Sequence, residues 1–566
     1  MYTLGINAAF HDSAAALIKD GVLIAAAEDE RFTHIKHGKR PIPFSAYELP
    51  FHAIDYCLQE AGISLKDVDH IAYSFDPALL QKQQHSINDN KNVPGIFSDE
   101  WNQLFLSYMQ QAPQHLRDGY PHHLQKRLAG MVIQPEKWHF VEHHIAHAAS
   151  AFYPSPFNEA AVLTLDGRGE LASTSYFVGN GNSLEKIGEV CMPHSLGMLY
   201  EKMTTYLGFL HSSDEYKVMA LASYGKPVYL EKFRSFIHIG ENGGYTIDDF
   251  SPEDAFGPAR KKGATFEQRY FDVAHSLQKV LEENVLTLVR WLHQETKQEN
   301  LCMAGGVALN CVLNAVVRDK GPFKNIWVQP AAGDAGTALG AAQWIDRKFS
   351  TGAPTQPMEH AYWGPAYSDE EVETLLQWMK IPYRKLNNIA AETAQLLADN
   401  KVIGWFQGRM EFGPRALGSR SILASPADAG MQQKLNEIKD REDFRPVAPV
   451  VMEEAAGEWF ENATVSPFML FVYNINPQKA DKIPAVRHVD GTARIQTVNR
   501  QQHLLYYDLL HEFKKLTGVP VLINTSFNTR GEPIVCTPKD AIACFYTSPF
   551  DALVINSFLL EKNAAA

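Results

Sequence analysis

At 566 residues, with 45% hydrophobic and 21% charged side chains, the chain reads as an ordinary globular protein too long for one hydrophobic core, so two or more domains are expected. A net charge of -13 and a pI near 5.9 exclude the basic stripe of an extended nucleic-acid footprint, though not a local anion pocket. Six scattered cysteines without a C-x-x-C pair exclude a disulfide framework or zinc finger, and no stretch reads as a signal peptide or membrane span. The expectation is a cytoplasmic protein with no nucleic-acid and no membrane partner.

In chain order, the first elements are three strands divided by turns: "YTLGIN", "SAAALIKDG" after the polar "FHD", and "VLIAAAEDE" after the Asp20-Gly21 hairpin signal. The same grammar returns at 161–190, where "AVLTLDGRGE", "ASTSYFVGN" and "SLEKIGEV" follow one another. Two such units suggest an internal duplication. A long amphipathic helix is predicted over 270–296, and "LCMAGGVALN" then enters a helix. "NIWVQPAAGDAGTALGAAQWI" places Gly333-Asp334 between a strand and a helix of small residues. Strands alternating with helices indicate an α/β architecture.

"KFSTGAPTQPMEH" (348–360) has prolines, glycine and no apolar period, so a linker is placed at 350–360 between domains at 1–349 and 361–566. Beyond it, "GPRALGSRSILASP", the helix "GMQQKLNEIKDRE", the strand "ARIQTV" and "VPVLINTSFNTRGEPIV" read as a separate α/β domain with a basic pocket.

P-loop, G-x-S-x-G and H-E-x-x-H signatures are missing. The nucleotide signal is "AGGVALN", where paired glycines after a buried strand let the backbone approach a phosphate; the alternative is a packing turn. Lys217 in "EYKVMALASYGK" is a further candidate phosphate contact. "VEHHIAHAAS" carries three histidines, and on a helix either His143 with His147 or His144 with His147 could chelate; the alternative is a polar helix face. Asp166 and Asp334, each beside glycine at a strand's C-terminal edge, would complete a set of two imidazoles and two carboxylates suited to iron, manganese or zinc. His11 is either a turn histidine capped by Asp12 or a general base facing the inter-domain cleft. In the second domain Arg415, Arg420, Lys439, Arg441, Arg445, Arg494, Asn524, Ser526 and Arg530 lie on polar turns, and several arginines on such loops suggest an oxyanion pocket.

Taken together, "FHDSAAAL", "AAEDERFTHIKHG", "HHIAHAAS", "LTLDGRGE", "AGGVALN", "PAAGDAGTALGAA", "GPRALGSRSILASP", "KDREDFRPVAP" and "NTSFNTRGEPIV" resemble, in order and over nearly the whole chain, the O-carbamoyltransferases of the nodulation-factor and cephamycin type. That resemblance implies an N-terminal actin-like (ASKHA) domain with duplicated lobes, fused to a C-terminal YrdC-like domain. It also implies an ATP-dependent reaction in two stages. Carbamoyl phosphate and ATP, with Mg2+, would form carbamoyl adenylate in the second domain. The first domain would then pass the carbamoyl group to a hydroxyl of a small-molecule acceptor.

Residue by residue, the resemblance implies His143, His147, Asp166 and Asp334 as metal ligands, with Fe2+ or another divalent transition metal, and leaves His144 out. It implies His11 as the active-site histidine and Gly305, Gly306 and Asn310 as nucleotide contacts. Arg415, Lys439, Arg445, Arg494 and Ser526 match the carbamoyl-phosphate and ATP pocket, with Lys439 and Arg445 catalytic; Arg420 and Asn524 are expected in the same pocket. "TYLGFLHSSDEYK" and 90–130 depart from the family pattern and are expected to set acceptor choice. Competing readings are a threonylcarbamoyl-transferase acting on tRNA, an actin-like sugar kinase and a non-catalytic nucleotide-binding module. A homodimer is the default expectation for a soluble enzyme.

Overall fold

Short apolar runs, buried almost throughout, and Asp-Gly punctuation produce the first sheet. The computed structural model describes residues 1–38, 49–80, 109–110, 112–113, 135–350 and 356–562. Residues 351–355 of the expected linker, and 90–108, 111 and 114–130 of the stretch expected to set acceptor choice, lie outside the described residues. Strands β1 (Tyr2–Asn7), β2 (Ala14–Lys19) and β3 (Val22–Glu28) form an antiparallel meander. Lys19 pairs with Val22 across Asp20 (φ 49°) and Gly21 (φ 83°), the two left-handed positions of a tight hairpin. β4 (His70–Tyr73) and β5 (Trp138–Phe140) then add in parallel on the far side of β1, giving the order β3-β2-β1-β4-β5.

The second sheet repeats this plan. β6 (Glu159–Leu165), β7 (Ala172–Asn180) and β8 (Ser183–Cys191) form another meander. After a small hairpin, β9 (Ile237–Ile239) with β10 (Tyr245–Ile247), the strands β11 (Asn300–Ala304) and β12 (Asn325–Val328) add in parallel beside β6. The order is β12-β11-β6-β7-β8, so strand order and sense occur twice. This is the duplication that the sequence grammar suggests.

Two helices lie between the sheets. Ala335–Phe349 packs on β1, β2 and β4, and His143–Phe152 packs on β6, β7 and β11. They also pack on each other, so closely that a Cβ on Gly340 would lie 1.7 Å from the Ala146 carbonyl oxygen. On the other side, a Cβ on Gly5 of β1 would meet the Ala338 carbonyl at 1.8 Å. The small residues of "AHAAS" and "GTALGAA" are therefore what lets three layers close.

The chain divides into two compact units, Met1–Met358 and Glu359–Ala566. The second contains β13 (Arg384–Lys385), β14 (Ile403–Phe406), β15 (Arg420–Ala424), β16 (Ala448–Met452), β17 (Val472–Asn474), β18 (Thr492–Arg494) and β19 (Gln496–Val498). β20 (Val521–Ser526), β21 (Ala552–Ile555) and β22 (Phe558–Glu561) complete a mixed eight-stranded sheet, ordered β13-β22-β21-β14-β15-β20-β16-β19. The expected single strand "ARIQTV" is broken at Ile495: β18 pairs with β17 in a small ribbon, while β19 joins the large sheet. The core behind that sheet is built on Trp405, Phe406, Tyr506 and Phe527, all buried. Among the described residues, no helix is long and apolar enough to cross a membrane.

Candidate functional site

The first unit gathers its chemistry where the two central helices begin. His143 opens the helix that follows β5, and Asp166 is the first residue beyond β6. Asp334 does not end a strand as expected; it lies six residues after β12 and directly precedes the Ala335–Phe349 helix. His143, His147, Asp166 and Asp334 are all buried and each offers one ligand atom within 4.8 Å of the others. His143 Nε2 lies 3.6 Å from Asp166 Oδ2, 3.5 Å from Asp334 Oδ1 and 3.1 Å from His147 Nε2. His147 Nε2 lies 3.9 Å from Asp166 Oδ2 and 3.6 Å from Asp334 Oδ1. An ion held at about 2.0–2.2 Å from each donor would need the donors about 3.0–3.6 Å apart. Four of the five separations lie in that range and the His147–Asp166 one, at 3.9 Å, just beyond it, so a small closure would seat a single transition-metal ion, and two imidazoles with two carboxylates are a donor set that such ions accept.

The surroundings fix the donors. His143 Nδ1 donates to the Ser74 carbonyl at 3.1 Å, which makes Nε2 the nitrogen that faces the cluster. Burial opposes charge on His143, yet Asp334 and Asp166 outweigh it and hold the imidazole well above its usual range. Asp166, opposed by burial but drawn by His143 and His147, stays well below the usual carboxylate range. His144 points elsewhere: its Nδ1 lies 2.8 Å from Thr164 Oγ1, and burial keeps its pKa well down. Geometry thus selects the His143/His147 pair that helical spacing alone left open.

Glu170 is a residue that sequence reasoning passed over. Its carboxylate accepts the backbone N–H of His143 at 3.0 and 3.1 Å and that of Asp76 at 2.6 Å, so it anchors the start of the histidine helix. Burial pushes this carboxyl up to about 7, against the pull of His143. A lone glutamate after a glycine-rich turn has no period or spacing to announce it.

Of the nucleotide candidates, Gly306 touches the cluster. Gly306 N–H donates to Asp166 Oδ1 at 2.8 Å. Gly305 has φ 93°, and a Cβ there would strike the Leu165 carbonyl at 2.1 Å, so only glycine fits. Asn310 caps the Cys311–Lys320 helix through Leu313 N–H at 3.0 Å and donates to Gln278 at 2.8 Å. Lys217 pairs with Asp214 at 3.1 Å, on a helix whose Met219 sulfur touches Cys311 at 3.9 Å. His11 Nδ1 lies 3.7 Å from Asp334 Oδ2 and 2.9 Å from Asp12 Oδ2.

In the second unit, Lys439 and Ser526 meet. The buried Lys439 ammonium donates to the Ser526 carbonyl at 2.5 Å, Ser526 Oγ at 3.2 Å, and the Asn528 carbonyl and Oδ1 at 3.0 and 2.7 Å. These acceptors are uncharged, so the positive charge of Lys439 is not cancelled by them. Asn524, on the same strand, donates to Gln496 at 2.8 Å and to the Ala416 carbonyl at 3.2 Å, beside Arg415. The Arg445 carbonyl accepts from Asn436 and Gln432 of the helix that precedes Lys439. Arg494 ends β18, one residue ahead of Ile495 and two ahead of Gln496.

Arg420 stands apart from its expected place in the oxyanion pocket. Its guanidinium is fully buried, donates to the carbonyls of Gln407, Gly408, Ser419 and Pro365 at 2.9–3.1 Å, and lies 3.6 Å over the Phe406 ring. With those donors spent on backbone, it holds the glycine loop and strand together rather than facing a ligand. Glu411 shares that task, accepting the N–H groups of Leu417, Ser419 and Arg420 at 2.7–3.2 Å. Neither Asn528 nor Glu411 was signalled by spacing.

Residues 2–343 match the family model described as carbamoyltransferase N-terminus, and residues 394–562 match the one described as carbamoyltransferase C-terminus. An uncharacterized protein of Synechocystis sp. is 41% identical across 100% of this chain and 97% of its own length. The nodulation protein NolNO of Sinorhizobium fredii is 41% identical across 99% of this chain and 80% of its own. Among solved structures, full-length HypF in its phosphate- and nucleotide-bound form matches 62% of this chain and 56% of its own at 13% identity, with a TM-score of 0.35, a likeness too loose to speak to ligands.

Proposed function

This chain belongs to the carbamoyltransferase family and is a transferase, and we propose that it works in two stages, the C-terminal unit making carbamoyl adenylate from carbamoyl phosphate and ATP and the N-terminal unit passing the carbamoyl group to a small-molecule hydroxyl. In this reading the first unit is an actin-like fold with duplicated lobes, which the repeated strand order supports, and the second is YrdC-like. The observation that carries the reading is the buried cluster of His143, His147, Asp166 and Asp334, against which the Gly306–Asp166 hydrogen bond at 2.8 Å sets the glycine corner.

Chemically, a carbamate carbon is a poor electrophile, and AMP is a far better leaving group than phosphate-free alternatives. In the second unit Lys439, held against the Asn528 carbonyl and Oδ1 at 3.0 and 2.7 Å, neutralises phosphate charge. In the first unit, His143, His147, Asp166 and Asp334 would hold a divalent transition metal, iron by family resemblance, which when bound supplies Lewis-acid stabilisation of phosphate charge. Gly305 lets this corner close onto the Leu165 backbone and so holds Gly306 beside Asp166, where the nucleotide phosphates would lie. His11 accepts the proton of the attacking hydroxyl. Cytoplasmic location and a homodimer belong to the same reading.

The test is product mass spectrometry with carbamoyl phosphate, ATP and a panel of hydroxylated metabolites. The expected result is a gain of about 43 mass units, that of HNCO, together with release of AMP, pyrophosphate from ATP and phosphate from carbamoyl phosphate. A phosphorylated product formed from ATP without carbamoyl phosphate would instead support a kinase.

A further inference from the structure

The proposed chemistry leaves the "AAEDERFTHIKHG" segment without a role, although four of its charged side chains are buried. Glu28, Asp29, Glu30 and Arg31 are each at most 9% exposed. Asp29 Oδ1 accepts the N–H groups of His52 and Ala53, capping the Phe51–Glu60 helix. Arg31 bridges Glu28 at 3.1 Å and Glu30 at 3.4 Å, and Glu30 Oε2 accepts the His37 N–H at 2.6 Å. This buried chain of charge fixes the position of His37.

From that position His37 grips Asp12 twice. His37 Nδ1 donates to Asp12 Oδ1 at 2.8 Å, and the His37 carbonyl accepts the Asp12 N–H at 3.1 Å. The other Asp12 oxygen lies 2.9 Å from His11 Nδ1. An ionised carboxylate can only accept, so each of the two Nδ1 atoms must carry its hydrogen. The turn itself is held by Asn7, whose Nδ2 donates to the carbonyls of His11 and Asp12, both at 3.0 Å. Phe10 (φ 53°) and Asp12 (φ 52°) are both left-handed, a conformation that non-glycine residues keep only when the surroundings hold them.

We propose that Asp12 and His37 are positioning residues for the hydroxyl attack: His37 holds the Asp12 carboxylate, which holds His11 in the Nδ1–H tautomer and leaves Nε2 as its basic nitrogen. The inference rests on the carbamoyl-transfer reading above. In the step it serves, the acceptor oxygen bonds to the carbamoyl carbon and the bond from that carbon to the AMP phosphate oxygen breaks. AMP leaves with the bonding pair, and the hydroxyl proton passes to His11 Nε2. Asp12 then faces an imidazolium, which it stabilises without taking the proton.

Long-range 1H–15N NMR on 15N-histidine-labelled full-length protein above pH 8, with His11→Asn and His37→Asn to assign the signals, reads the tautomers directly. The expected wild-type pattern is Nδ1–H on both His11 and His37, with His11 moving toward Nε2–H in Asp12→Asn. Carbamoyl transfer to glucose or glycerol as hydroxyl probes should lose kcat on the order of 10²–10⁴-fold in Asp12→Asn and about tenfold or more in His37→Ala. KM for the probe should stay near wild type, pyrophosphate release should persist, and His37→Asn, which keeps an N–H donor, should restore the rate. If His11→Ala transfers normally, the base assignment falls and this proposal with it. If His11→Ala is inactive in transfer while wild-type His11 carries its hydrogen on Nε2, or Asp12→Asn leaves tautomer and kcat unchanged, carbamoyl transfer stands and the positioning proposal is wrong.

Discussion

Gly340→Ala tests whether the metal-ligand cluster depends on a backbone contact that none of its donor side chains makes. A Cβ at this position would lie 1.7 Å from the Ala146 carbonyl oxygen and 2.7 Å from the Ser150 nitrogen. An ordinary carbon–oxygen contact is about 3.3 Å or more, so the two helices must part by about 1.5 Å. One helix carries His143 and His147, and the other begins just after Asp334. Metal–ligand distances tolerate only about 0.2 Å, so Asp334 would leave the coordination sphere. We expect metal affinity to fall on the order of 100-fold, and overpacking to cost about 1–3 kcal/mol of stability. Metal content after dialysis, read by plasma mass spectrometry, and a thermal-unfolding midpoint measure both effects. Gly457→Ala is the control, since nothing lies within 4 Å of its added Cβ. A Gly340→Ala protein that retains wild-type metal content and affinity would refute the claim that this helix spacing sets the cluster.

Four further outcomes follow from particular contacts. His143→Ala should lose metal and carbamoyl transfer but keep carbamoyl-phosphate-dependent pyrophosphate release; loss of that first stage in a folded variant would break the division between units. Lys439→Ala should abolish adenylate formation with metal content normal, and it should cost about 1–3 kcal/mol because the Ser526 and Asn528 oxygens lose their donor. His144→Gln should keep the metal, since its ring faces Thr164; metal loss would reopen the choice of chelating pair. In the second unit, burial holds His503 down at about 4, against an ordinary 6.5. The unfolded chain therefore binds more protons, so stability from this group is present above pH 6.5 and is lost as pH falls toward 4, by about 3 kcal/mol. His503→Asn keeps a side-chain acceptor for the Tyr506 N–H and should flatten the acid limb of a thermal-midpoint series; an unchanged limb would show that other groups govern it.

Local grammar was legible because it depends on neighbours along the chain. The Asp20-Gly21 hairpin, the two three-strand meanders, the long helix expected over 270–296 and the glycine corner at 305–306 all follow from turn chemistry and hydrophobic period. The break at Ile495 was not legible, because the run Ala493–Val498 carries no turn residue to say that its halves join different sheets. Nor was the difference between Arg420 and the other arginines, which depends on four carbonyls gathered from residues 365–419.

The cluster divides in the same way. Sequence alone determined that His143 and His147 share a helix face, that carboxylates sit beside glycine at Asp166 and Asp334, and, through family resemblance, that the chemistry is carbamoyl transfer. Tertiary structure alone decided that His144 turns to Thr164, that Glu170 anchors the histidine helix and that His37 reaches Asp12. The physical reason is that a hydrogen bond is decided over about 3 Å, whereas its partners here lie up to 27 residues apart in the chain. Only the sheet order and the close contact of two glycine- and alanine-rich helices bring such side chains within that range.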